Sequence, residues 1–201
     1  PTGETYWDLL AETADGIGLS GMRDLDSGTL DAARSAANVH GKPFAIHVSE
    51  DQRDDMDAVL ALEPDFVVHM CQGTAADFQA LADADVPVVL CPRSNRYFGL
   101  KTPAKELLQA GATVAIGTDN GMLADGNLLQ ELALLQSQGI AEEDLLRMAS
   151  HSGRYLLGLE AGLPPRRGAP LEALLLPHPA IPAGPAARPV FRERGLQEPS
   201  E

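Results

Sequence analysis

Four short apolar runs each deliver a polar residue at the C-terminal end: Phe44-Ala-Ile-His47, Phe66-Val-Val-His69, Val86-Pro-Val-Val-Leu-Cys91 and Thr113-Val-Ala-Ile-Gly-Thr-Asp119. Continuous apolar runs of four to six residues, separated by longer amphipathic stretches, are the pattern of buried parallel strands alternating with helices. Such a sheet keeps its chemistry at the carboxyl ends of its strands. The four terminal polar residues therefore predict one catalytic rim, with Asp119 ahead of the turn at Asn120-Gly121 as its most informative member.

Five βα units are expected between about Asp15 and Leu159. A weak first strand near Gly16-Leu19 precedes a helix over about Leu30-Asn38, which Gly41 and Pro43 stop. After His47 the acidic run Glu50-Asp51 with Asp54-Asp55 favours a helix start, with Met56, Val59 and Leu60 on one face and Pro64 at its end. Thr74 is placed to cap the next helix, with Asp77 at its third position and Phe78 and Leu81 on its apolar side. Pro103 reads as a first helical residue and Gly111 as a C-cap before the fifth strand, which ends at Asp119. Asn127-Gln138 and Glu142-Leu157 read as two longer helices. Beyond Leu163 nine of the fifteen prolines crowd together with Phe191 as the one aromatic, so 1–160 is expected to be the domain and 161–201 an irregular Pro-rich tail.

The 201 residues fall short of the roughly 250 of an eight-unit β/α barrel. A formal charge of -14 offers no basic surface for nucleic acid or an anionic membrane, which leaves a small-molecule substrate. With only Lys42, Lys101 and Lys105 as lysines, the acidic surface suits a high-salt cytoplasm. No run approaches the length of about 20 apolar residues that spans a bilayer, and no signal-peptide pattern opens the chain, so a cytoplasmic protein is expected. Cys71 and Cys91 have no metal or redox spacing.

Each candidate has a plain alternative. His47-Val-Ser-Glu50 sets an imidazole and a carboxylate where both can face one pocket, as a metal ligand beside a proton shuttle requires; alone, the pair also fits a core histidine and a helix-favouring glutamate. His69 on the next strand lies about one strand spacing, roughly 5 Å, from the strand of His47, and that convergence favours a site. Cys91-Pro-Arg-Ser-Asn95 begins a loop whose Ser94 and Asn95 offer uncharged donors and acceptors, while Cys91 reads as a small buried hydrophobe. Phe98 and Met122 suit either the lining of an aromatic ring or packing. Gly16-Ile-Gly-Leu-Ser-Gly21 has dinucleotide-loop spacing, but neither a strong strand before it nor an obvious helix after it.

His47-Val-Ser-Glu50, Val68-His69, Cys91-Pro-Arg-Ser-Asn95 and Gly117-Thr-Asp-Asn120, in this order, resemble the amidohydrolase superfamily in its chlorohydrolase, cytosine deaminase and adenosine-type deaminase branch. The resemblance spans about Gly16 to Leu159 and implies the C-terminal part of a metal-dependent (β/α)8 TIM barrel. It implies a divalent metal, zinc before iron, on His47 and Asp119, with Asp119 also taking a proton from water. Glu50 would carry protons to the leaving nitrogen and hold the substrate ring, His69 would steady developing oxygen charge, and Ser94 and Asn95 would help bind an amino-substituted nitrogen heterocycle.

The family's first-strand His-x-His is missing among the five histidines, of which His40 comes first, near a helix end. The chain is accordingly expected to be a fragment that does not catalyse alone. The alternative is a degenerate, non-catalytic binding or assembly subunit, a homo-oligomer that pairs its open edges.

Overall fold

The computed structural model describes residues 6–159 apart from Ala124; the expected Pro-rich tail lies outside the described residues. Five strands, β1 (Ile17–Leu19), β2 (Phe44–Val48), β3 (Phe66–His69), β4 (Val88–Leu90) and β5 (Val114–Ile116), form one parallel sheet in sequential order. Sequential order with every neighbour parallel is the arrangement of a barrel arc, in which each crossover helix returns the chain to the next strand on the same side.

Register explains the two faces. Ile17 beside Phe44, and Leu19, Ile46, Val67, Val88 and Val114 in the next row, are buried and form the face that the helices cover. Each such side chain contributes roughly 1.5–3 kcal/mol on burial. On the opposite face Gly18, Ala45 and Phe66 form one row, and His47, Val68, Val89 and Ala115 form the next.

The helices before the first cap and between strands are α1 (Tyr6–Thr13), α2 (Ser27–Val39), α3 (Met56–Ala61), α4 (Ala75–Asp83), α5 (Pro92–Tyr97) and α6 (Ala104–Gln109). After β5 come α7 (Leu128–Ser137), α8 (Glu142–Leu146) and α9 (Gly153–Leu156). The Thr74–Asp77 capping box forms as the sequence predicts, and Arg53 adds two 2.7 Å bonds to the buried Asp77 carboxylate. That guanidinium, ahead of the bonds from Thr74, holds the Asp77 carboxyl below the usual carboxylate range. Gly111 follows α6 with φ +82°, a conformation that a side chain disfavours.

Several boundaries differ from expectation for local reasons. Helix α2 begins three residues early because Asp26 caps it, accepting from Thr29 N at 3.0 Å. Glu50 does not start α3; Asp55 caps that helix, which frees Glu50 for the strand-end loop. Cys91–Asn95 is not a loop, since Pro92 occupies the first position of α5, where a missing N–H costs nothing. Pro103 is the N-cap of α6 rather than its first residue. The stretch Glu142–Leu157 is interrupted by a π-helical turn at Arg147–Ser152, in which the Ser150 hydroxyl donates back to the Leu146 carbonyl. Strand β1 runs through the middle of Gly16–Gly21, so the spacing that resembles a dinucleotide loop belongs to a strand and the helix opens only at Ser27. Among the described residues no helix is long and apolar enough to cross a membrane.

Candidate functional site

The carboxyl ends of β2, β3 and β5 share an uncommon backbone feature. Ser49 (φ 50°), His69 (φ 78°), Met70 (φ 59°) and Asp119 (φ 56°) are all left-handed without being glycine. Glu63 and Asp85, just past the ends of α3 and α4, share the conformation, and each such residue costs on the order of 1–3 kcal/mol.

At β3 that conformation re-aims a side chain. Pleat alternation would send His69 to the helix side with its partner Val48, yet its ring centroid lies 5.0 Å from that of His47, edge to face. Fully buried His69 makes a 3.0 Å bond from Nδ1 to Asn95 Oδ1, while Asn95 Nδ2 donates to Thr102 Oγ1 at 3.1 Å. With the amide oxygen facing the ring and the amide nitrogen facing Thr102, the ring proton lies on Nδ1 and Nε2, 3.6 Å from Glu50 Oε2, is an acceptor.

Glu50 is carried by the turn after β2. Ser49 donates its amide to Asp54 Oδ2 at 2.6 Å and accepts the Asp54 amide on Oγ at 3.0 Å. Arg23 Nη2 then approaches Asp54 Oδ1 at 3.1 Å. His47, Glu50 and His69 each present a donor atom within 4.8 Å of the others'. Two imidazoles and a carboxylate are a donor set that zinc accepts. Burial, then the neighbouring His69 ring, lowers the His47 pKa against the pull of Glu50, Asp119 and Asp24, which favours the neutral form that a metal requires.

Asp119 stands apart from that trio. It lies three residues beyond β5 instead of ending it, is exposed, and accepts a short hydrogen bond from the buried Ser94 hydroxyl. Its charge nonetheless reaches His47. Ser94 and Asn95 are hydrogen-bonded to Asp119 and His69 respectively. Phe98 and Met122 are 55% and 89% exposed, which excludes a core packing role. His40 caps the far end of α2 and pairs with Asp8 at 3.7 Å, away from the strand ends. Sequence reasoning missed Glu131 and Asp54, both buried acids whose partners are backbone amides; no local pattern announces them.

Burial first, then Glu50 for Cys71 and Asp119 for Cys91, pushes both thiols up to about 12. At pH 8 iodoacetamide should therefore alkylate either one roughly a thousandfold more slowly than an ordinary thiol of pKa near 9. Because the folded values are raised, the associated stability is present below pH 9 and lost as pH climbs toward 12. Fast alkylation in native buffer, read by mass spectrometry, would contradict this.

Residues 13–163 match the sequence profile of the amidohydrolase family. A putative aminohydrolase of Archaeoglobus fulgidus is 38% identical over 142 residues, covering 69% of this chain and 42% of that protein. A 5-methylthioadenosine/S-adenosylhomocysteine deaminase of Halobacterium salinarum is 30% identical over 117 residues, or 53% of this chain and 27% of that protein. The chain thus spans less than half the length of these relatives. Among solved structures, a zinc-bound adenosine deaminase from Xanthomonas campestris superposes with a TM-score of 0.64 at 22% identity, over 71% of this chain and 38% of that one. An atrazine chlorohydrolase from Arthrobacter aurescens complexed with zinc gives 0.57 at 24% identity, over 72% and 38%. The five-stranded arc corresponds to part of their barrel, and with the profile spanning most of its length the chain belongs to the amidohydrolase family.

Proposed function

We propose that this chain carries the C-terminal rim of a metal-dependent hydrolase of non-peptide C–N bonds, which removes ammonia from an amino-substituted nitrogen heterocycle. The observation that carries it is the convergence of His47, Glu50 and His69 within 4.8 Å at neighbouring strand ends, with the charge of Asp119 reaching His47. Deaminases of amino-purine nucleosides among the relatives support a purine first, with pyrimidine, pterin or triazine rings in the same chemical class.

His47 and Asp119 would hold the divalent ion, zinc before iron, a choice supported by the zinc in the similar structures. Bound there, the ion supplies Lewis acidity and brings the pKa of water toward about 7. Glu50 would receive the proton that Asp119 takes from water and deliver it to the leaving nitrogen, holding the ring as it does so. His69, held through Nδ1 by Asn95, would face the reacting oxygen and steady the charge that develops there. Ser94 and Asn95 orient the two groups behind substrate. The three-way proximity favours a second arrangement, in which His69 Nε2 joins His47 and Glu50 as ligand. The variants Asp119→Asn and His69→Gln separate the two, because loss of a true ligand should weaken zinc by about 100-fold or more, beyond what loss of a support behind it costs.

The deciding experiment pairs zinc content of this chain with ammonia release from methylthioadenosine, adenosine and cytosine by the gene's complete product. Stoichiometric zinc and a turnover that Glu50→Gln lowers by about 100-fold or more support the proposal. A stable oligomer without zinc, and no ammonia from any substrate, would instead identify a non-catalytic assembly subunit.

A further inference from the structure

Glu131, on α7, is fully buried and belongs to none of the groups at the rim. Its Oε2 accepts the backbone amide of Arg93 at 2.8 Å; its Oε1 lies 3.7 Å from Arg93 Nη1 and has no hydrogen bond. A carboxylate desolvated with one oxygen unmatched is costly, and burial raises its pKa, so packing alone does not account for its presence.

Its partner explains it. Arg93 is the second residue of α5, and the next two residues are the supports of the rim: Ser94 donates to Asp119, and Asn95 accepts from His69. Three successive residues of one short helix therefore connect α7, the turn after β5 and the end of β3. The helix has six residues, too few to hold its place by its own hydrogen bonds. Its first position is Pro92, without an N–H, so the Arg93 amide is the first donor available to anchor it. Arg93 also reaches Asp125 at 2.5 Å, which fixes its side chain but not the backbone amide.

We propose that Glu131 is a positioning residue: by holding the Arg93 amide it sets α5, and through Ser94 and Asn95 it orients Asp119 and His69. The inference rests on the reading of those two as site residues.

The test uses Glu131→Met, which keeps the volume and removes the acceptor, beside Glu131→Gln, which keeps an acceptor oxygen for Arg93. Two quantities are read: the ring-nitrogen NMR shifts of His69 in the metal-free chain at pH 8, and zinc affinity by chelator competition. The parent should show a single neutral tautomer with its proton on Nδ1. Glu131→Met should show averaged tautomers and bind zinc 10- to 100-fold more weakly, the range for loss of a support behind a ligand, while Glu131→Gln stays within about threefold of the parent. A folded Glu131→Met with parental tautomer and affinity overturns the proposal, as does equal damage from Glu131→Gln. Should Glu131→Met not fold, Glu131→Asp, whose shorter side chain withdraws the acceptor, is judged by the same criteria. If the parent itself takes up no zinc, the metal reading falls, and the His69 tautomer alone decides the role of Glu131.

Discussion

His47→Ala is expected to weaken zinc binding by at least about 100-fold while leaving the fold intact, since three protein ligands are the usual minimum and this change leaves two donors of the trio. His47 pairs with Val68 on the face away from the helices and is half-buried, so its removal opens little core. It is also the member whose chemistry is already set for a metal. Burial and the neighbouring His69 favour its neutral form, while Glu50, Asp119 and Asp24 supply the negative field that a cation needs. Alanine removes the ligand and leaves that field in place, so residual affinity should be nonspecific and fall with salt. Chelator competition at two ionic strengths measures both. A change below about fivefold would take His47 out of the site in either ligand arrangement.

The rim was legible because strand ends are written in composition. The apolar runs that hold His47 and His69 define the strands and where they end, and Thr74 with Asp77 three residues later announces a capping box. The closeness of His47 to Glu50 follows from a spacing of three residues. Whether His69 shares their side does not, because alternation alone sends it to the helix face; a left-handed φ at a non-glycine residue decides the matter and leaves no signature in the residue type. Helix α5 was invisible for another reason. Pro92–Tyr97 carries no apolar periodicity, and its anchor Glu131 is 38 residues from Arg93 along the chain. Partner choice at that range depends on the completed fold. The same holds for Arg53 and Asp77, and for the displacement of Asp119 beyond β5.

Asp54→Ala is expected to cost about 2–4 kcal/mol, the sum of an unpaired buried amide and the loss of a half-exposed ion pair. Asp54 is 9% exposed and satisfies three groups at once: the Ser49 amide, the Ser49 hydroxyl through its own amide, and Arg23. Ser49 is left-handed, and its carbonyl accepts from Gln72 N at 2.8 Å, so the turn that Asp54 holds also ties the end of β2 to that of β3. Alanine keeps the backbone donor to Ser49 Oγ but strands the Ser49 amide, and the strained φ then relaxes toward a conformation that swings Glu50 away from His69. Thermal unfolding should fall by roughly 5–15 °C for a domain of this size. Glu50-dependent turnover should drop with it, by more than the stability loss explains at 25 °C. Asp54→Asn retains an acceptor for Ser49 and gives up only the charge facing Arg23, so it should recover about half of the loss. If Asp54→Ala unfolds within about 0.5 kcal/mol of the parent, the turn is held by its other contacts, and the strain at Ser49 has no bearing on where Glu50 points.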